Sequence, residues 1–315
     1  MCYRLPHDFD WQFYLTHYSD LREAGYSDAE GARAHYLGFG AKEGRIYNQN
    51  PHSDSAEGKR LWKRMRKFNG HNLRISKNHS LNSARISVII SLYNYDQYIK
   101  KCIDSVLSND FDGVEIVVVN DRSTDQSLEV VMPYLETSHP FTLLNKKVRT
   151  GLVHSRNLGI DHSVGDYVFI LDADNAIYAD CLSAHYDYLS NSHDWACYGV
   201  IECFNLQGKW VKNLSDKPFK LDVLMDGNYI DAMALFDKSR LLSIGKYDQN
   251  MVRYGIGWED HELWIRMGKL GGTVGFIDKP LSRYLLKSDS MSEIAQRQYS
   301  PNLRKYLNAI HQTNL

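Results

Sequence analysis

From Arg85 onward the chain reads as dominantly apolar runs separated by stretches of helical period, and few folds accept that alternation. The runs at 86–92, 114–119, 141–144 and 167–171 are short and rich in β-branched residues, and they lack the polar alternation of a sheet with one wet face. Such runs belong to strands buried on both faces. Between them, 97–108 places Ile99, Ile103, Val106 and Leu107 at helical spacing, and 125–134 and 152–162 also read as helices. Buried strands alternating with helices predict an α/β fold, with a mostly parallel sheet flanked by helices.

Composition narrows the function classes. Hydrophobic residues at 43% and charged residues at 24% describe an ordinary folded protein and exclude disorder or a coiled coil. With 37 basic and 38 acidic residues the net charge is −1, so no global field points to nucleic acid, and none is expected as a partner. The apolar runs fall well short of the roughly 18 residues that a bilayer-spanning helix needs. The five cysteines are scattered, with no CxxC pair and no secretory leader before them, which predicts a reduced, cytoplasmic setting.

Four regions follow from changes in character. Residues 1–50 place Phe13, Tyr14, Leu15, Tyr18 and Leu21 at intervals of three and four, a small helical module that Gly38, Gly40 and Gly44 bring to a stop. Residues 51–84 read as a linker whose 59–74 stretch carries seven Lys or Arg and no acid, with Leu61, Trp62, Met65 and Phe68 interleaved. A basic amphipathic helix there suits peripheral contact with an anionic membrane face, and suits equally well a solvated helix docked by its apolar side. The main domain is 85–295 and a C-terminal tail follows at 296–315.

Ligands of doubly wound sheets bind beyond the carboxyl ends of the strands, so the residues just after each strand are informative. Here they are Ser91-Leu92-Tyr93-Asn94, Asn120-Asp121-Arg122-Ser123-Thr124-Asp125 and Asp172-Ala173-Asp174-Asn175. Neither G-x-G-x-x-G nor G-x-x-x-x-G-K-[ST] is present, which removes a dinucleotide-binding dehydrogenase and a P-loop enzyme. A tyrosine face such as that of Tyr93 can stack on a base, and Asp121 can accept from a base N–H or else cap the next helix. Asp172 and Asp174, two apart in extended chain, can turn both carboxylates to one Mn²⁺ or Mg²⁺ that bridges a diphosphate.

The stretches ISVIISLYN, VEIVVVNDRSTDQS, TGLVHSRNLGIDHSVGDYVFILDADN and GIGWEDHEL occur in an order that resembles the family 2 glycosyltransferases of GT-A fold, over about 85–292. The resemblance implies that Tyr93 and Asp121, with Ser91 beside them, hold the uracil and ribose of a UDP-sugar. Asp174 would bind the metal and Asp172 the donor ribose or sugar. Arg156, in S-R-N where the family has A-R-N, would line the donor site or serve as a structural salt-bridge partner. Asp260, opening a helix that runs through Leu263, Trp264, Met267 and Leu270 to Gly271-Gly272, would be the general base of an inverting transfer. Glu259 would orient the acceptor, and Trp258 would offer it a flat apolar face. Residues 1–50 resemble a tyrosine-rich module found beside some bacterial glycosyltransferases.

One position departs from the family pattern. Where the family often carries a metal-binding histidine, the segment Tyr284-Leu285-Leu286-Lys287-Ser288 has Lys287. A protonated lysine cannot ligate a metal, but its ammonium can neutralise a diphosphate, so a weak dependence on Mn²⁺ or Mg²⁺ is expected. The resemblance implies a nonprocessive enzyme that moves a sugar from a UDP-sugar to a glycan or lipid-linked acceptor in bacterial surface polysaccharide synthesis. It would work in the cytoplasm, at the inner face of the membrane if the 59–74 contact holds. The alternative is a noncatalytic nucleotide-sugar or carbohydrate-binding protein of the same fold.

Overall fold

The computed structural model describes residues 11–12, 15, 21, 24–35, 70–75, 84–253, 257–287 and 300–312. The first elements are α1 (Ala29–His35), β1 (His71–Ile75), β2 (Ile86–Leu92), α2 (Ile99–Leu107), β3 (Val114–Asn120), α3 (Ser127–Val131), β4 (Phe141–Lys146), α4 (Leu152–His162) and β5 (Tyr167–Asp172). There follow β6 (Ala176–Ile177), α5 (Cys181–Ser190), β7 (Ala196–Phe204), β8 (Trp210–Leu214), α6 (Leu221–Asp226), β9 (Leu235–Asp237), α7 (Lys238–Ser243), α8 (Glu259–Lys269), β10 (Val274–Leu285) and α9 (Ser300–His311). The strands form one sheet in the order β1-β4-β3-β2-β5-β9-β7-β10-β6, with β8 paired to β7. Strands β2, β3, β4, β5, β7 and β10 run one way, and the short or peripheral β1, β6, β8 and β9 run against them.

The continuous apolar runs are explained by two cores, one on each face. Successive residues of a strand point to opposite faces. Ile86, Val88, Ile90 and Leu92 of β2 join one core with Ile99 and Ile103 of α2 and Leu182 of α5. Ile89 faces the other core, with Ile160 of α4 and Leu263, Trp264 and Met267 of α8. Helix α4 lies so close to the sheet that a Cβ on Gly159 would collide with the Ile89 side chain. Ser87 and Glu115, two polar residues inside this sheet, are bonded to each other and to the loop before β5: Ser87 Oγ donates to Glu115, and the Gly165 amide donates to Ser87 Oγ at 2.8 Å.

Three sequence expectations change. The helix expected over 125–134 is split into α3 and a 3₁₀ turn at Met132–Glu136, because Pro133 lacks the N–H that a continuing α-helix requires. Residues 71–75, expected to be linker, form β1 antiparallel to β4, with Leu73 opposite Leu144. Its His-Asn-Leu-Arg-Ile sequence carries no strand pattern of its own; the unpaired edge of β4 recruits it. Most of the expected tail is α9, whose Leu303, Tyr306 and Leu307 pack with Met251. Of the expected N-terminal module, Leu15 and Leu21 are helical and buried, and the basic stretch 59–69 lies outside the described residues. Among the described residues, no helix is long and apolar enough to cross a membrane.

Candidate active site

The chain passes from β2 through β3 to β4 on one side and then returns to β5 on the other side of β2. That reversal opens a crevice at the carboxyl ends of β2 and β5, where doubly wound sheets bind their ligands. Ser91 and Asp172 are register partners across it. Ser91 Oγ is buried and has no hydrogen-bond partner among the described residues.

Arg156 joins the two halves of the site. Its side chain is 2% exposed, and its guanidinium spans 2.7 Å to Asp172 Oδ1 at the end of β5 and 2.5 Å to Glu259 Oε1 at the start of α8. Burial opposes the charge, but Asp172 and Glu259 outweigh it and push the Arg156 pKa well above its ordinary value. Arg156 therefore acts here as a structural bridge between the end of β5 and the start of α8. Glu259 Oε2, buried and without a partner among the described residues, is left as a free acceptor.

Asp121 has a role that the sequence did not suggest. Its two oxygens accept the amides of Thr150 and Gly151, each at 2.8 Å, and Oδ1 lies 2.5 Å from Lys146 Nζ. The carboxylate thus fixes the start of α4, where an anion also complements the helix dipole, rather than capping the next helix. Gly151 sits at φ 92, a backbone that L side chains rarely adopt. Tyr93 stacks against Arg149, whose guanidinium carbon is 4.1 Å from the ring centroid.

Asp174 is paired with Lys287, Nζ to Oδ2 at 2.6 Å, and both side chains are largely buried. Burial and then Asp172 raise the Asp174 pKa, while Lys287 opposes them. The lysine ammonium also lies over the rings of Tyr95 and Tyr98, at 4.2 Å and 4.7 Å. Mn²⁺ or Mg²⁺ at a diphosphate takes one or two carboxylates and fills its other positions with phosphate oxygens and water, and here both carboxylates are already paired, Asp172 with Arg156 and Asp174 with Lys287. Among the described residues no group of three His, Cys, Asp or Glu side chains could hold a metal ion. With each carboxylate held by a fixed cation, the residues present do not offer a vacant carboxylate pair to Mn²⁺ or Mg²⁺.

On the other side of the cleft, Asp260 accepts the His261 amide at 2.8 Å and the Asn228 side-chain amide at 3.2 Å. Burial, then Glu259 and Asp231, push its pKa well above the usual carboxylate range. Asp231, which the sequence did not single out, is a half-buried carboxylate raised to about 7 by desolvation and by Asp172. It could have been noticed as a lone acid inside the apolar run Ile230-Asp231-Ala232-Met233-Ala234. Trp258 precedes α8 in a left-handed conformation, φ 64, a strained backbone for a bulky residue. Its ring packs on the α9 cluster and lies 5.6 Å from the Arg304 guanidinium, so its apolar surface is partly taken by α9.

Residues 87–241 match the model for glycosyl transferase family 2, and the chain carries a domain of that family. It is 27% identical over 223 residues to the glycosyltransferase GlyA of Streptococcus pneumoniae serotype 4, which covers 67% of this chain and 32% of GlyA. It is 27% identical over 157 residues to a glycosyltransferase of Haemophilus influenzae, covering 49% of this chain and 62% of that protein. The chain thus spans less than two thirds of the length of these relatives. Its fold is similar to that of TarS 1–349 from S. aureus, solved in complex with UDP-GlcNAc, with a TM-score of 0.59 at 19% identity over 73% of this chain and 68% of that one.

Proposed function

We propose that this chain catalyses an inverting, nonprocessive transfer of a sugar from a UDP-sugar to a glycan or lipid-linked acceptor, in the synthesis of a bacterial surface polysaccharide on the cytoplasmic side of the membrane. The observation that carries the reading is the connected cluster Asp172–Arg156–Glu259–Asp260, which ties the donor-side strand end to a carboxylate of raised proton affinity. Family membership and the UDP-sugar bound by the TarS neighbour support the donor class.

The chemistry assigned to the residues is a single displacement. Asp260 accepts the proton of an acceptor hydroxyl as that oxygen bonds to the anomeric carbon, and the C–O bond to the diphosphate breaks with its electron pair leaving on UDP. A base with a raised pKa takes that proton more readily than an ordinary carboxylate. Ser91 Oγ and the Tyr93–Arg149 stack meet the nucleoside, Asp172 meets the ribose or sugar, and Glu259 Oε2 orients the acceptor. Asp121 contributes by holding the start of α4, which carries Arg156.

Release of UDP from a panel of UDP-hexoses and UDP-N-acetylhexosamines tests this. One donor class is expected to be turned over, slowly with water as acceptor, to a sugar of inverted anomeric configuration. Retention of configuration would remove Asp260 as the base of a single displacement, and no UDP release from any donor would contradict the transferase reading.

The Asp231–Asp260 pair carries a pH prediction. The negative charge on Asp231 raises the Asp260 pKa, and the base works only when deprotonated, so activity falls as pH drops through that pKa. Asp231→Asn removes the charge and lowers the Asp260 pKa. The acidic limb of the kcat/KM profile is expected to move to lower pH, by about one unit. A limb that stays in place would show that the two carboxylates do not share this titration.

A further inference from the structure

We propose that Lys287 is a built-in cation standing where a divalent metal would otherwise act: held between Asp174 and the faces of Tyr95 and Tyr98, its ammonium binds the β-phosphate of the donor and takes up the charge that develops on the leaving UDP. The proposal rests on the nucleotide-sugar reading of the site.

Three separate parts of the chain build this position. The loop after β2 supplies Tyr95 and Tyr98, the loop after β5 supplies Asp174, and the residue two beyond β10 is Lys287 itself. The last two parts are stitched together by the Leu285 amide, which donates to Asn175 Oδ1 at 3.0 Å, and the Leu286 amide donates to the Phe204 carbonyl at the end of β7 at 2.8 Å. Lys287 is therefore positioned by the two residues before it as well as by its charge, with its side chain only 10% exposed. A surface lysine on a free loop would have none of these restraints.

Charge bookkeeping points the same way. Each carboxylate of the Asp172-Ala173-Asp174 element already has one fixed positive partner, Arg156 for the first and Lys287 for the second. A divalent ion would have to displace a largely buried ammonium from its carboxylate and from two aromatic faces, each a favourable contact for a cation. An ammonium has three N–H donors, so Lys287 can keep Asp174 and still donate to phosphate oxygens. In the transfer, the anomeric C–O bond breaks and its electron pair goes to the β-phosphate oxygen. Lys287 stabilises that oxygen by hydrogen bond and charge without giving up its proton, while the acceptor proton goes to Asp260.

Calorimetric titration of UDP and of UMP into the full chain, in EDTA and then in Mn²⁺, tests the inference. Wild-type protein is expected to bind UDP with the same affinity, within twofold, in both conditions. Lys287→Met is expected to lose at least tenfold in UDP affinity with UMP affinity unchanged, because only UDP carries the β-phosphate. Lys287→Arg, which keeps the charge, is expected to recover part of the loss. A wild-type UDP affinity at least tenfold higher in Mn²⁺ than in EDTA would overturn the inference and leave the nucleotide reading intact. Equal loss of UDP and UMP in Lys287→Met would mark the lysine as structural, and unchanged UDP binding in that variant would mark it as a bystander. Should Lys287→Met fail to fold, the wild-type comparison of EDTA with Mn²⁺ decides alone. Binding of neither nucleotide in either condition would instead bring down the nucleotide-sugar reading, and the role of Lys287 with it.

Discussion

Asp260→Asn is expected to lower kcat by about 10²–10⁴-fold, the usual worth of a positioned general base, with UDP affinity unchanged. The substitution is nearly isosteric, and the asparagine Oδ1 can still accept the His261 amide that now binds Asp260 Oδ1. It also removes one negative charge from a buried neighbourhood that holds Glu259 and Asp231, both of which raise the Asp260 pKa. Thermal stability is therefore expected to stay level or rise while turnover collapses. Steady-state UDP release and a thermal melt on the same preparation separate the two effects. Full turnover in the variant would place the base elsewhere, with Asp231 as the next carboxylate to test.

Arg156→Met is expected to damage the fold as well as the chemistry. The guanidinium is buried and serves two carboxylates, and removing one partner of a buried ion pair typically costs about 3–5 kcal/mol because the remaining charge is stranded. The stranded group that matters most is Glu259, whose side chain is 5% exposed; Asp172, at 28%, retains some solvent. The double variant Arg156→Met/Glu259→Gln is expected to regain part of the stability and none of the activity, since the link between β5 and α8 stays broken. Denaturant unfolding of the two variants beside the parent measures this. A loss below about 1 kcal/mol in Arg156→Met, the level of an exposed pair, would contradict the bridging role.

The sheet was legible because β2, β3, β4 and β5 are buried on both faces, so each run carries its own signal without reference to a partner. Strand β1 was not, because its only reason to be extended is the edge of β4, some seventy residues away in sequence. The same distinction runs through the site. Asp172, Asp174 and Asp260 stand at element ends and could be read in place. The partners that define them come from elsewhere: Arg156 from α4, Lys287 from beyond β10, and Asp231 from the loop before β9. Asp121 shows the limit most clearly. Its type and position fit a base-binding acceptor, and its oxygens also meet Thr150, Gly151 and Lys146, contacts that no local pattern reveals. Trp258 likewise reads in sequence as a flat face for a sugar, and the packing of α9 against part of its ring is not visible there.

Amide hydrogen exchange of the full chain with and without UDP tests most directly whether the nucleotide binds in the crevice between β2 and β5. Protection is expected in 91–98, 120–125, 149–152 and 172–175 and around 285–287, with little change in the β7–β8 hairpin. Protection confined to that hairpin, or none at UDP concentrations that saturate binding, would contradict a nucleotide site at the carboxyl ends of these strands.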